Sequence, residues 1–253
     1  MTSLPIYAQA PQPESNTSYL TVDVEEYYHA EVFSGIIDRL DWNMYPPHVE
    51  ENTMLLIQLF NDCNVRGTFF VLGPVAKKYP GLIKEILKSG NEIASHGNEH
   101  RMITKMSPKE FQQDVRKSKQ ILEDITGKEV LGYRAPTFSI VEKTDWAYEI
   151  LLSEGFRYSS SVFPIHHDRY GWPEFGVFPR KMAVSGAQWI WEIPLSAERV
   201  GFINVPFGGG GYLRMFPMFL TKYFFRRLLR IGRPATLYVH PWEIDREHPR
   251  VAM

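Results

Sequence analysis

The sequence predicts an α/β fold, a distorted and incomplete (β/α) barrel of about seven parallel strands. Short buried strands alternate with helical segments along most of the chain, which is the order that builds a parallel sheet. The 253 residues, 44% of them hydrophobic and 23% charged, are enough for one such barrel. We therefore expect a single domain over residues 19–253, preceded by a flexible polar N-terminus at residues 1–18.

The first half of the chain contains three predicted strands and three predicted helices. The strands are residues 19–25, 67–72 and 91–95, and the helices are residues 48–63, 74–88 and 107–126. Gly90 tolerates positive φ and ends the second helix. Ser107 and Glu110 form a capping box that begins the third helix, which stops at Gly127. Cys63 lies in the apolar pattern of the first helix, and we expect it in the core rather than as a reactive thiol.

The second half continues the alternation but is interrupted once. Strands near 131–134 and 157–160 flank a helix near 144–154. Residues 161–213 are rich in Pro, Gly and aromatic residues, with short strands expected at 189–193 and 201–205. A helix near 215–231 and a strand at 235–240 follow. For the four-glycine run within 207–212, we favour close approach of the backbone to a ligand over a mobile turn.

Composition excludes several classes of partner. The formal net charge is −1, so no overall field recruits nucleic acid or an anionic membrane. No apolar stretch is long enough to cross a bilayer. Residues 1–18 carry neither Lys nor Arg and lack the apolar run of a secretory signal. We therefore predict no nucleic-acid partner, no transmembrane segment and a cytoplasmic location, unless a leader has been removed.

The segment Ser95-His96-Gly97-Asn98-Glu99-His100 is the strongest chemical signal. Histidines at positions i and i+4 fall on one face of a helical turn, so both imidazoles can reach one ion. They follow a predicted strand directly, at the edge where parallel α/β folds place their sites. Isolated pairs at this spacing also occur by chance, so a metal site and a fortuitous pair both stay open.

Three further fragments also follow predicted strands. Asp23 and Glu25 point to the same side of the first strand, as a ligand and a base or as a solvated strand end. Arg134 can hold a carboxylate through a bidentate pair, or be structural. His240 ends the last strand, where a structural histidine is the alternative. Four such fragments at successive strand ends make coincidence the poorer explanation.

The ordered motifs Asp-x-Glu, Ser-His-x-x-x-His, Arg-x-Pro and Leu-x-x-His resemble the polysaccharide deacetylases of carbohydrate esterase family 4, which share a NodB-homology domain. The resemblance covers roughly residues 19–245, and residues 68–73 look like the family's second strand. Residues 207–212 and 240–245 are similar to a bacterial branch associated with exopolysaccharide biosynthesis and export. The resemblance implies metal-dependent hydrolysis of N-acetyl groups from amino sugars in a polysaccharide or its lipid-linked precursor.

The resemblance also implies a role for each motif residue. His96 and His100 match the metal-binding histidines, and Asp23 matches the general base. Arg134 matches the arginine that orients this base, and His240 matches the general acid.

The sequence departs from the family pattern at two positions. Val24 stands where a metal-binding aspartate is usual, so Glu25 is the expected replacement, and which of Asp23 and Glu25 binds the metal stays open. Ser159 stands where relatives often have an aspartate that tunes the acid histidine. The candidate replacements for this aspartate are Glu192, Glu243 and Asp245.

The expected cofactor is a divalent metal. Two imidazoles and one carboxylate suit Zn²⁺, and Co²⁺, Ni²⁺ or Fe²⁺ also fit. The expected partner is an N-acetylated oligosaccharide or polysaccharide, and the resemblance suggests the Thr137 amide for the oxyanion. Six aromatic side chains are candidates to stack on sugar rings, of which we expect two or three to do so: Tyr133, Trp172, Trp191, Phe207, Tyr212 and Trp242.

Two other functions are compatible with these motifs. One is a hydrolase of the same fold that acts on a cyclic imide, a ureide or another non-sugar amide. The other is an inactive, carbohydrate-binding relative, which Val24 and Ser159 favour. The joint presence of Asp23, Arg134 and His240 argues against loss of activity.

Overall fold

One curled sheet organises the protein. The computed structural model describes residues 18–184 and 187–248. Its strands are β1 (Ser18–Val24), β2 (Thr68–Val71), β3 (Glu92–Ser95), β4 (Gly132–Tyr133), β5 (Tyr158–Ser159), β6 (Arg180–Ala183), β7 (Trp189–Glu192), β8 (Ala197–Val200), β9 (Ile203–Pro206) and β10 (Ala235–Val239). Eight strands pair in the order β10-β1-β2-β3-β4-β5-β7-β6, and all but β6 are parallel to their neighbours. The predicted incomplete barrel with seven parallel strands is thereby confirmed.

Helices connect most of these strands. They are α1 (Val49–Asp62), α2 (Gly73–Lys78), α3 (Pro80–Lys88), α4 (Pro108–Thr126), α5 (Ala147–Ser153), α6 (Gly210–Met215) and α7 (Met218–Arg230). Short 3-10 helices at Tyr27–His29, Glu31–Phe33 and Arg39–Met44 lie between β1 and α1. The predicted capping box of α4 is confirmed, because Ser107 Oγ accepts the Glu110 amide and Glu110 accepts that of Ser107. Gly127, with φ of 64°, ends the helix as predicted.

Three predicted segments differ from the structure. The helix predicted over residues 74–88 is two helices, because Pro80 cannot donate a backbone hydrogen bond and the chain bends at Tyr79 (φ −125°, ψ 61°). The strand predicted at 201–205 is the second half of a hairpin, β8 and β9, which turns at Gly201 with φ of 61°. Cys63 is exposed rather than buried, because α1 ends at Asp62 and the chain leaves its apolar face.

The main core lies between the sheet and its helices. Val22 and Val24 on β1 pack into it, together with residues of α4 such as Phe111 and Val115. Because side chains alternate along a strand, Asp23 points to the opposite side from these two valines. Among the described residues, no helix is both long enough and apolar enough to span a membrane.

The first three glycines of the four-glycine run pack against β10. A Cβ atom at Gly208 would lie 2.6 Å from the Thr236 oxygen, and one at Gly209 would overlap the Tyr238 oxygen. Gly209 also pairs with Tyr238 in a parallel bridge. The missing side chains thus make room for a strand, and the predicted approach to a ligand stays a prediction.

Candidate active site

The C-terminal ends of three strands, β1, β3 and β10, and the residue after β4 converge on one buried cluster. Parallel strands present these ends at the same edge of the sheet, so residues far apart in sequence become neighbours. His240 is partly exposed and the other members of the cluster are buried. The structure brings together Asp23, Glu25, His96, His100, Arg134 and His240.

Glu25, His96 and His100 present their donor atoms to one another. Glu25 Oε2 lies 2.6 Å from His100 Nε2 and 3.6 Å from His96 Nε2. His96 Nδ1 lies 2.9 Å from the Arg134 carbonyl oxygen, so this nitrogen donates and Nε2 keeps its lone pair. Possible ligand atoms of the three residues all lie within 4.8 Å of one another.

The surroundings of Glu25 Oε2 indicate whether a cation fits between these three residues. It is buried and has no hydrogen-bond partner of acceptable geometry among the described residues. Burial alone would raise the pKa of Glu25, but the neighbouring His100 and His96 outweigh burial and hold it well below its usual range. An ionised, unbonded oxygen between two imidazole nitrogens fits a divalent metal ion.

The two histidines lie on a loop and not on a helical turn. Gly97 and His100 both have left-handed backbones, with φ of 79° and 48°. The predicted helical geometry is therefore wrong, although the two imidazoles still meet. A non-glycine residue in this region is strained and requires support from its surroundings.

Two residues that the sequence analysis missed support this loop. The Asp114 carboxylate on α4 accepts the amides of Asn98 and Glu99 at 2.8 and 2.9 Å. The Arg39 guanidinium donates to the carbonyl oxygens of Glu99 and His100 at 2.6 and 2.8 Å. No periodic pattern marks Asp114 or Arg39, because their partners are backbone atoms of a loop.

Arg134 fixes one oxygen of Asp23. Its Nη1 donates to Asp23 Oδ1 and to Thr21 Oγ1, both at 2.7 Å. Its Nε and Nη2 donate to the carbonyl and hydroxyl oxygens of Ser160, each at 2.9 Å. The predicted bidentate pair is therefore wrong, because the second arm binds Ser160. Asp23 Oδ2 lies 3.9 Å from His240 Nε2.

His240 is held by Glu243. Glu243 Oε2 lies 3.2 Å from His240 Nδ1 and accepts its backbone amide at 2.9 Å. Burial alone would lower the pKa of His240, but Glu243 and the charges of Glu25 and Asp23 raise it. Of the three candidate carboxylates, only Glu243 contacts this ring in the described structure. Glu192 accepts backbone amides after β5, and Asp245 lies 2.7 Å from His48.

A polysaccharide deacetylase family matches residues 14–153, more than half of the chain and the part that holds Asp23, Glu25, His96, His100 and Arg134. The chain belongs to the polysaccharide deacetylase family. Residues 160–253 match a second family, a domain of unknown function (DUF3473). This second segment supplies β6, β7 and β10 to the common sheet, and His240 directly follows β10.

Two curated relatives match the deacetylase portion. A peptidoglycan deacetylase from Helicobacter pylori is 31% identical over 113 residues, which are 45% of this chain and 37% of the relative. A peptidoglycan-N-acetylglucosamine deacetylase from Bacillus cereus is 31% identical over 130 residues, which are 50% of this chain and 46% of the relative. The chain thus spans less than half the length of these two relatives.

Solved structures share the fold over nearly the whole chain. A protein from Mycobacterium smegmatis described as a polysaccharide deacetylase superposes with a TM-score of 0.62 at 22% identity, covering 94% of this chain and 82% of that one. PuuE allantoinase superposes with a TM-score of 0.63 at 16% identity, covering 95% and 84%. At these identities the likeness shows the fold alone.

Two of the predicted aromatic residues lie in the core, and two more contact side chains outside the buried cluster. Tyr133 and Phe207 are buried in hydrophobic clusters, so their predicted sugar contact is wrong. Trp172 packs against Phe175, with ring centres 5.1 Å apart. Trp191 lies on β7, with its ring 5.5 Å from the Lys181 ammonium. The direction of each ring depends on its position in a strand or loop, which a count of aromatic residues near strand ends does not reveal.

Trp242 and Tyr212 lie nearer to the catalytic cluster. The Trp242 ring stacks on His240 with centres 4.8 Å apart and planes 19° apart. Tyr212 is partly exposed on α6, in the cluster that contains Tyr238. Thr137 follows Arg134 closely and has a left-handed backbone, with φ of 55°. The substrate roles of these three residues stay predictions.

His29 is a further neighbour of the buried cluster that the sequence analysis missed. Its ring stacks on His100 with centres 5.7 Å apart, and its Nδ1 accepts the Glu26 amide at 3.1 Å. Burial lowers the pKa of His29 to about 3, with a further contribution from the charge of His100. His29, Arg39, Trp42 and His100 line part of a cavity of about 240 Å³ beside the cluster.

Proposed function

We propose that this chain hydrolyses N-acetyl groups from amino sugars of a polysaccharide or its precursor, using a divalent cation held by Glu25, His96 and His100. The observation that carries the proposal is the buried, unbonded Glu25 oxygen facing two imidazole nitrogens. Asp23 and His240 lie directly beside this group. The peptidoglycan deacetylases among the relatives support an acetamido sugar as the substrate class.

Zinc is the cation that we propose. Two neutral imidazoles and one carboxylate are ligands between hard and soft in character, which suits Zn²⁺. Three protein ligands also leave coordination positions open for substrate. When bound, such an ion supplies Lewis acidity to the acetamide group. Asp23 is not a proposed ligand, because its Oδ1 is bound to Arg134.

The chain's own residues move the protons. Asp23 Oδ2, the oxygen that Arg134 does not bind, accepts a proton from the water that attacks the acetyl carbon. Arg134 keeps this carboxylate oriented through its Nη1. His240 Nε2 donates a proton to the sugar nitrogen as the C–N bond breaks, and Glu243 holds its Nδ1–H. The products are acetate and a free amino sugar, and the two proton carriers are then restored by exchange with water.

Amine release from N-acetylglucosamine oligomers, with and without a chelator, tests this function. Glu25→Ala should lose both the bound metal and activity, measured by elemental analysis and amine release. Asp23→Asn should keep the metal and lose about 10²–10⁴ in rate, the usual contribution of one proton-transfer group. If Asp23→Asn lost the metal and Glu25→Ala kept it, the two roles would be exchanged.

The same assay separates the alternatives. If the protein hydrolysed a small ureide but not the oligomers, the proposed substrate would be a ureide and not an amino sugar. Oligomer binding without turnover at full metal content would indicate an inactive relative. Full activity in the presence of a chelator would refute the proposed role of a bound cation.

A further inference from the structure

Helix α7 has one face in the core and the opposite face in solvent. Thr221, Phe224 and Leu228 are buried, at the three- and four-residue spacing of one helical stripe. On the opposite side Phe219 is 75% exposed and Tyr223 is 53% exposed. Two large aromatic rings on a solvent-facing stripe are costly unless another surface covers them.

The segment that carries these rings has basic residues and no acidic ones. Residues 210–233 contain six basic residues and no acidic residue, although the whole chain has a formal net charge of −1. Arg227 and Arg233 are paired with Glu198. Within the part of the chain that the structure describes, Lys222, Arg226 and Arg230 form no ion pair and are exposed. We call Phe219, Lys222, Tyr223, Arg226 and Arg230 the outer face of α7.

Further exposed apolar side chains border the outer face. Met215 at the end of α6 and Met218 at the start of α7 are 75% and 55% exposed. The β8–β9 hairpin is attached to α7 by Glu198, whose Oε1 lies 2.7 Å from Arg227 Nε. Phe202, at the tip of this hairpin, is 98% exposed.

We propose that the outer face of α7 docks on an anionic lipid surface. Aromatic rings beside unpaired cations match the interface between acyl chains and anionic headgroups, where the rings insert and the cations pair with phosphate. A helix of 13 residues is too short to span a bilayer, so it lies in the plane of the surface. The positive charge of this segment attracts the lipid, although the net charge of the whole chain is −1.

Binding of the full chain to vesicles tests the proposal without any measurement of activity. Phosphatidylcholine vesicles containing about 30% phosphatidylglycerol should retain the protein in co-sedimentation, and vesicles of phosphatidylcholine alone should retain far less. Binding should weaken as salt is added, because the cations are exposed and screened.

A pair of charge variants makes the test specific. Arg226→Gln with Arg230→Gln should weaken binding to the anionic vesicles roughly 30-fold, at about fivefold per cation removed near such a surface. The control is Lys109→Gln with Lys117→Gln, which removes two exposed cations from α4. This control should bind as the unaltered chain does.

An apolar pair tests insertion of the rings. Phe219→Ser should weaken vesicle binding roughly tenfold, as expected for withdrawing one large apolar side chain from the interface. Leu59→Ser is its control, since Leu59 is 52% exposed on α1. Both variants should keep the far-ultraviolet circular dichroism of the unaltered chain.

Three results would overturn the proposal. One is equal vesicle binding by the Phe219→Ser and Leu59→Ser variants. Another is a chain that does not bind vesicles but forms a dimer that Phe219→Ser dissociates, which would make a second copy the occupant. The third is binding to a soluble polyanion such as heparin that exceeds vesicle binding and is insensitive to Phe219→Ser.

Discussion

Removing the Arg134 side chain should show how strongly the buried Asp23 carboxylate depends on it. Arg134→Met keeps much of the volume of the side chain and removes its charge. Asp23 then loses its 2.7 Å partner, and the carbonyl and hydroxyl oxygens of Ser160 lose their donors. Asp23→Asn is the complementary change, since the amide oxygen can still accept from Arg134.

The size of the effect follows from these contacts. A buried charge left without its partner costs about 3–5 kcal/mol, and an unsatisfied buried carbonyl about 1–3 kcal/mol. Arg134→Met should therefore lower the free energy of unfolding by roughly 5 kcal/mol, against about 5–15 kcal/mol for a whole domain. Asp23→Asn keeps an acceptor for Arg134 Nη1 but removes the negative charge of the pair, at a cost of about 1.5–3 kcal/mol. The double variant buries no lone carboxylate, so it should cost about 2–3 kcal/mol less than the two changes summed.

Urea unfolding of the four proteins, in a chelator, measures this coupling. The chelator matters because a cation bound only by the native state adds its own stabilisation. The control pair is Arg116 and Glu154, whose contact is also 2.7 Å but lies at the surface. The cycle of Arg116→Met and Glu154→Gln should show a much smaller coupling, because solvent screens the exposed guanidinium.

The reasoning would be refuted by an Arg134→Met variant as stable as the unaltered chain. It would fail equally if the buried and surface pairs gave the same coupling energy. Either result would mean that water or another side chain compensates the Asp23 charge. A coupling near the expected value with normal circular dichroism would support the buried pair.

Three further predictions concern Arg39, Glu243 and Glu192. Arg39→Met should weaken Zn²⁺ binding about 10- to 100-fold in competition with a chromophoric chelator, because it releases the His100 carbonyl; unchanged affinity would remove Arg39 as a support. Glu243→Gln should lower kcat about 10- to 100-fold with little change in metal content, because it loosens the charged contact to His240; an unchanged kcat would count against that role. Burial raises the pKa of Glu192, so the native state prefers its protonated form and loses stability as pH rises above the unfolded-state value of about 4.3. Glu192→Gln should therefore gain stability relative to the unaltered chain as pH rises above about 4.3 in thermal melts, and a difference independent of pH would contradict this.

The sequence predicted well what depends on repeating patterns. Buried strands alternating with helices implied a parallel sheet, and the ends of parallel strands must share an edge. This is why the order of strands and motifs along the chain was enough to place Asp23, His96 and His240 together. The capping residues of α4 were equally local, since Ser107 and Glu110 contact each other three residues apart.

What the sequence did not predict depends on contacts between distant segments. Arg39 supports His100 across 61 residues through a backbone carbonyl, which no side-chain pattern reveals. The sequence did not show whether Glu243 or Asp245 contacts His240, because this depends on which carboxylate the 3-10 turn directs toward the His240 ring. Tyr133 resembled a site residue because it precedes Arg134, but alternation along the strand turns it into the core.

The position of β1 has a consequence for the nascent chain. Its two neighbours are β2, which follows within 50 residues, and β10, which begins only at residue 235. On the ribosome, one edge of β1 therefore stays unpaired while some 200 residues emerge. The earlier part of the sheet can begin to fold before β10 has been synthesised. During this interval the edge can pair with another chain, so we expect chaperone binding to concentrate there until β10 closes it.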